Sequence, residues 1–253
     1  MKHVTIELVN ATIGYKTKNK ATIVASNLNG SLLKGKLVSL VGRNGCGKST
    51  LLRTIAGFQP LLEGRVIQEG KEIQEYSIQE RARILSIVTT NTMHVQDMTV
   101  FDLVAMGRSP YTGFWGKLGQ KDKEIIAESL RIVGMEQYND RMVETLSDGE
   151  RQKVMIAKAI AQETSVIILD EPTSFLDYPS KIKTMQLLRT LAHDKNKTVF
   201  LSTHDLEQAL QFSDDIWMLD DDRNLVIRTP KQMISEGILE KTFGYINWLQ
   251  NLE

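Results

Sequence analysis

A single cysteine, Cys46, occurs in 253 residues. An internal disulfide is thereby excluded, and a reducing compartment is expected. Charge of one sign is also missing: Lys+Arg and Asp+Glu are each 31. The chain therefore lacks the basic field that holds nucleic acid or anionic lipid, and no nucleic-acid partner is expected. No apolar run approaches the roughly 20 residues needed to cross a bilayer. The opening residues, Met1 to Leu8, alternate like a strand and carry no signal-peptide core. Direct membrane insertion is not expected, so any membrane role must come through a partner. Pro/Ser-rich linkers, low-complexity tracts and internal repeats are absent too. What remains is 42% hydrophobic and 25% charged, ordinary for a globular chain with a sizeable core.

One stretch organises the rest. Gly42-Arg43-Asn44-Gly45-Cys46-Gly47-Lys48-Ser49-Thr50 fits G-x-x-x-x-G-K-[ST], a glycine-rich phosphate cradle. Lys36 to Val41 before it reads as a buried strand, and Ser49 to Ala56 after it as a helix closed by Gly57. Small glycines let backbone N–H groups turn onto phosphates, and the helix N-terminus adds partial positive charge. Lys48 is expected to reach the β- and γ-phosphates, and the Ser49 hydroxyl to bind Mg²⁺. Gly42, Asn44, Gly45, Cys46, Gly47, Lys48, Ser49 and Thr50 form the candidate nucleotide-binding set. Cys46 invites a redox reading, but a small side chain filling a variable position explains it as well.

The chain before the cradle reads as short strands joined by turns: Val4 to Val9, Ala21 to Leu28, and Gly30 to Leu33. Tyr15 is a candidate for stacking on a base. Glu63 to Ile67 is a further strand, Ser77 to Arg83 a polar helix, and Ile84 to Val88 an apolar strand. Residues 92–163 change character. Thr99 to Met106 and Lys121 to Val133 have helical spacing, flanking a glycine-rich aromatic loop, Gly107 to Gly116. This region reads as a helical insertion within one domain, residues 1–253. Strands then alternate with helices again: Val166 to Leu169, Ser180 to His193, Thr198 to Ser202, Leu206 to Phe212, Ile216 to Leu219 and Leu225 to Ile227. Such alternation implies an α/β fold with a largely parallel sheet and ligands at its carboxyl edge. Residues 230–253 read as a helical tail, with Phe243, Ile246, Trp248 and Leu249 packing back on the body.

Three further features point to the carboxyl edge. Asp170 and Glu171 directly follow the apolar strand; there Asp170 can hold Mg²⁺ and Glu171 can take a proton from water. His204 comes two residues after the strand ending at Ser202, within reach of a γ-phosphate. Ser147-x-x-Glu150 heads an amphipathic helix as a capping box, and a serine- and glycine-headed helix end is also an anion site.

Together these residues resemble the ATP-binding cassette (ABC) ATPases over essentially the whole chain. Gly42 to Thr50 is similar to Walker A, Val166 to Glu171 to Walker B, and Leu146 to Glu150 to the LSGGQ motif. Ser174 to Asp177 is similar to the D-loop, His204 to the switch histidine and Tyr15 to the A-loop aromatic. The resemblance implies a P-loop NTPase (RecA-like) core with an N-terminal antiparallel β subdomain and an inserted α-helical subdomain. It implies ATP and Mg²⁺ as ligands, hydrolysis by Lys48, Glu171 and His204, and a homodimer trapping two nucleotides. Ser147 and Gly149, with Asp177, would then serve the nucleotide held by the other copy. Asp97 to Tyr111 is similar to the ATPase subunits of iron–siderophore, haem and vitamin B12 importers. The implied partners are an integral membrane permease and, through it, a substrate-binding protein, with the chain peripheral on the cytoplasmic face. Transport of another substrate, a soluble ABC ATPase and an ATP-binding regulatory module are the competing readings.

Two departures stand out. Where the family has a glutamine after the Ile84 to Val88 strand, this chain has Thr90 followed by Asn91. Thr90 is the candidate metal ligand there, with a shorter reach. Asp148 replaces the usual glycine beside Ser147, and its carboxylate would repel a facing phosphate unless turned toward solvent or a basic neighbour.

Overall fold

The computed structural model describes residues 3–16, 20–89, 97–113 and 115–244. The chain opens with two 13-residue strands, β1 (Val4–Lys16) and β2 (Ala21–Leu33), paired antiparallel. The expected short strands with turns are therefore corrected. Asn10 (φ 48°) and Asn27 (φ 54°) take left-handed conformations. They absorb the irregularity as bulges, so pairing continues past them. The Asn10 N–H donates to Asn29 Oδ1 at 2.9 Å, tying the two irregular sites together.

β3 (Leu37–Gly42) leads into α1 (Lys48–Ile55), then β4 (Glu63–Gln68), β5 (Lys71–Glu72), α2 (Ile78–Ile84) and β6 (Leu85–Val88). Three helices follow, α3 (Val100–Ala105), α4 (Gln120–Ile132) and α5 (Asp148–Ala161), with one isolated bridge between Thr99 and Met142. The alternating part then comprises β7 (Val166–Asp170), α6 (Tyr178–His193), β8 (Thr198–Ser202), α7 (Leu206–Phe212), β9 (Asp215–Leu219) and β10 (Leu225–Arg228). It closes with α8 (Pro230–Ser235) and α9 (Ile238–Phe243). The start of the helical tail expected over residues 230–253 forms two helices, because Gly237 adopts φ 61° and separates α8 from α9. Phe243 packs back as expected. Ile246, Trp248 and Leu249 lie outside the described residues.

Two sheets result. One is antiparallel, in the order β2-β1-β4-β5; the other runs β10-β9-β3-β8-β7-β6. In the second, β3, β6, β7, β8 and β9 are parallel, and only β10 pairs antiparallel. Burial on both faces explains why these strands read as continuous apolar runs. Period-2 alternation divides them: Ile167, Leu169 and Leu201 join the core under α3–α6. Val166, Ile168 and Phe200 join the core shared with the antiparallel sheet and α1. Each fully buried Leu or Ile contributes about 1.5–3 kcal/mol. A smaller core of Val41, Ile216, Met218, Met233 and Leu239 seats the last helices.

The parallel register positions the site. Asp170 pairs with Ser202, and Ser202 with Leu40, so the carboxyl ends of β7, β8 and β3 meet on one edge.

Candidate nucleotide site

The cradle follows from two glycines with no room for a side chain. A Cβ on Gly42 (φ +152°) would meet Cys46 Sγ at 2.7 Å and Leu219 O at 2.8 Å. One on Gly47 (φ +115°) would meet Val24 Cγ1 at 2.5 Å. Cys46 is thus a small packing residue against Gly42, partly buried on the core. Gly47 caps α1 without a side-chain acceptor, and no acidic residue sits in the first turn. The N–H groups that start the helix are left for an outside anion.

Lys48 is 8% exposed, and its Nζ donates to Gly42 O at 2.8 Å and Arg43 O at 3.2 Å. The ammonium is held within the loop it serves. Ser49 Oγ donates to Asp170 Oδ1 at 3.2 Å, and Ser202 Oγ donates to the same oxygen at 2.6 Å. Ser202 also accepts the Glu171 N–H at 2.9 Å. It therefore fixes the strand end that carries both acids. Sequence reasoning missed Ser202 as a site residue; its only signal was a hydroxyl at the end of an apolar strand.

Glu171 takes a left-handed φ of 51°, which turns its carboxylate off the strand line. His204 Nδ1 lies 2.7 Å from Glu171 Oε2, and Ser174 Oγ donates to that oxygen at 3.3 Å. In this state the histidine engages the glutamate. The Tyr15 hydroxyl hydrogen-bonds Thr50 Oγ1 at 2.8 Å, fixing the ring at the rim of the cradle. Tyr15, Asn44, Gly45, Lys48, Ser49 and Glu171 all line a cavity of about 320 Å³.

Ser147, Gly149 and Asp177 do not line that cavity. Ser147 caps α5: its Oγ accepts the Glu150 N–H at 3.3 Å, and its own N–H donates to Glu150 Oε2 at 2.9 Å. The Ser147 N–H holds the Glu150 carboxyl below its ordinary range. Asp177 caps α6 by accepting the Ser180 N–H at 3.1 Å, and the Ser180 donors lower its pKa. The Asp148 side chain is 70% exposed and lies 3.9 Å from Arg151. It has both the solvent and the basic neighbour that its tolerance requires. Thr90 and Asn91 lie outside the described residues.

The aromatic loop divides. Tyr111 packs under Arg108 (4.2 Å) and donates to Gln162 O at 3.0 Å, whereas Trp115 is 84% exposed. Gly107 is required for close approach: a Cβ there would meet Lys158 O at 2.4 Å.

The donor set suits Mg²⁺ that arrives with phosphate. One carboxylate and one hydroxyl stand together, and Mg²⁺ is held by one or two carboxylates plus phosphate oxygens and water. Among the described residues no cluster of three or more His, Cys, Asp or Glu offers an all-protein cage.

A family model described as ABC transporter matches residues 25–174. The chain belongs to the ABC transporter family, as an ATP-binding, ATP-hydrolysing cassette. It is 35% identical over 233 residues to the ferric enterobactin transport ATP-binding protein FepC of Escherichia coli (strain K12), covering 92% of this chain and 84% of that one. It is 36% identical over 233 residues to the iron(3+)-hydroxamate import ATP-binding protein FhuC of Bacillus subtilis (strain 168), covering 91% and 84%. Among solved structures, an inward-facing ABC transporter assigned to the metal-chelate type superposes with TM-score 0.81 at 28% identity, covering 95% of this chain and 89% of that one. The dimeric ABC transporter cassette MJ0796 superposes with TM-score 0.77 at 28% identity, covering 89% and 98%.

Proposed function

We propose that this chain powers import of a metal chelate of the iron–siderophore class. It does so as a homodimer beneath a separate membrane permease that is fed by a substrate-binding protein. One observation carries the cargo class: FepC and FhuC, matched over about nine-tenths of this chain, are named for ferric enterobactin and iron(3+)-hydroxamate. No described helix is long and apolar enough to cross a membrane; in this reading the permease holds the chain peripherally on the cytoplasmic face.

The residue roles follow from the chemistry of the site. Lys48 and the N–H groups of the cradle bind the phosphates, and Tyr15 offers its ring to the base. Ser49 and Asp170 hold Mg²⁺, which when bound neutralises charge on the β- and γ-phosphates. Glu171 accepts the proton of the water that attacks the γ-phosphorus, and ADP leaves with the bridging oxygen. His204 orients Glu171 through its 2.7 Å contact and would exchange that contact for the γ-phosphate. Ser147, Gly149 and Asp177, which do not line the chain's own cavity, complete the site of the second copy.

The helical segment bounded by about 92 and 163 faces the permease in this reading. Phe58 (69% exposed), Ile78 (78%) and Met106 (42%) rim a groove beside it that would receive an apolar permease segment. The test is co-purification with the permease, reconstitution, and uptake of ferric siderophore, haem and cobalamin in parallel. ATP-dependent uptake of ferric siderophore above the other two supports the reading. Transport of haem or cobalamin alone would reassign the cargo.

A further inference from the structure

The groove rimmed by Phe58, Ile78 and Met106 encloses about 300 Å³ between the end of α1, α2, β6, the turn after α3 and the last turn of α5. Ala56, Ala82, Leu85 and Ile87 continue its apolar surface. Two cations interrupt that surface, Arg81 and Lys158, and no acid lines it. Arg81 gives one donor to the Gly57 carbonyl at 3.0 Å, a neutral partner. The Lys158 ammonium makes no hydrogen bond or ion pair among the described residues. Burial lowers its pKa and no carboxylate opposes the shift, whereas Glu163 opposes the same effect at Lys197.

The acids on the elements around the groove are committed elsewhere. Glu80 accepts the Ser77 N–H at 2.8 Å, Asp102 the Thr99 N–H at 3.1 Å and Glu150 the Ser147 N–H at 2.9 Å. Asp148 lies 3.9 Å from Arg151, and Glu163, just past α5, pairs with Arg108 at 2.8 Å. Residues 89–96, which follow β6, contain no Asp or Glu. A purely apolar segment seated here would strip water from an unpaired ammonium, which is costly. One that brings a carboxylate converts the same burial into a paired charge.

We propose that the groove receives a cytoplasmic permease helix with an apolar face and one Asp or Glu, whose carboxylate pairs with Lys158. The inference rests on the transport reading and adds the chemistry of the contact. α1 starts at Lys48 and reaches the groove at Ala56; α5 starts beside Ser147 and reaches it at Lys158. The permease helix would thus bear on the far ends of both helices.

The full chain is titrated onto its permease in nanodiscs, without nucleotide, and followed by thermophoresis. Lys158→Met keeps the apolar stem and removes the charge, so its Kd should rise roughly 30-fold or more, while Lys158→Arg stays within about three-fold of wild type. ATP binding and Tm of the isolated chain should be unchanged in Lys158→Met. Crosslinking from p-benzoylphenylalanine in place of Ile78 should label a permease peptide with an Asp or Glu within one helical turn. Replacing that acid by lysine should restore binding of Lys158→Glu by about tenfold or more. Wild-type binding with an unchanged Kd in Lys158→Met, a labelled peptide without an acid, or no rescue by the charge exchange would each overturn this inference and leave the transport reading standing. No binding by the wild type would overturn both.

Discussion

Glu171 is held on three sides: its N–H by Ser202, and its carboxylate by His204 and Ser174. Replacement by glutamine keeps the shape and the donor contacts but removes the proton acceptor. Glu171→Gln should therefore cut steady-state ATP hydrolysis by about 10²-fold or more while ATP affinity is retained. Single-turnover and nucleotide-binding assays separate these, and near-normal turnover would remove the assignment. Tyr15 poses a different question, because its hydroxyl is spent on Thr50 rather than left for a nucleotide. If the ring supplies the contact, Tyr15→Phe should bind ATP almost as wild type, and Tyr15→Ala should lose about 1–3 kcal/mol of stacking. Equal losses in both variants would assign the role to the hydroxyl. These acids and the lysine were legible in the sequence because the chemistry fixes their types and spacing. Ser202 was not, because its contact with Asp170 depends on the register of two strands that are 32 residues apart in sequence at that contact.

Elements, rather than single side chains, decide how the cradle faces its surroundings. Arg108 is 3% exposed and ties three of them together. It donates to Asp122 at the start of α4 (2.9 Å), to the Ala161 carbonyl ending α5 (2.7 Å) and to Glu163 (2.8 Å). The Gly119 N–H and then Arg108 hold Asp122 below the ordinary aspartate range. A carboxyl lowered on folding stabilises the protein above its unfolded pKa and loses that contribution as pH falls through the folded one. The α3–α4 junction should therefore loosen below about pH 4. Arg108→Met should cost about 3 kcal/mol, the low end for a removed buried partner because Glu163 is half exposed. Calorimetry at neutral pH should then show Tm falling by roughly 6–12 °C. A fall under 2 °C would show that the helices hold without it. The sequence marked Gly107 to Gly116 only as an aromatic loop, since nothing local reveals that Arg108 turns inward to distant carbonyls. The full length of β1 was hidden for a related reason: Asn10, where the expected strand stops, looks like a turn residue and takes a left-handed conformation at a bulge.

At the scale of the molecule, one chain presents half of two different surfaces. Lys48, Asp170 and Glu171 meet at the sheet edge, whereas Ser147 and Gly149 head α5 outside that cavity. Unpaired backbone donors at the start of α1 and a serine-headed helix that faces no ligand of its own suit head-to-tail pairing of two copies around nucleotide. Asp148 gives that proposed pairing a test: its carboxylate is mostly in solvent and 3.9 Å from Arg151, and it would oppose closure where a phosphate approaches and Arg151 does not screen it. In a Glu171→Gln background, which holds ATP unhydrolysed, light scattering should detect a dimer with saturating Mg²⁺-ATP and a monomer without nucleotide. Adding Asp148→Gly should tighten the ATP-bound dimer by a few-fold, consistent with about 0.5–1 kcal/mol for an exposed charge, and leave Tm within about 2 °C. Arg151→Ala should loosen the dimer in the opposite sense by unmasking the carboxylate. Identical dimer affinity in all three proteins would mean that Asp148 faces no phosphate in the closed state. A monomer at saturating Mg²⁺-ATP, even beside its permease, would mean that Ser147 only caps a helix.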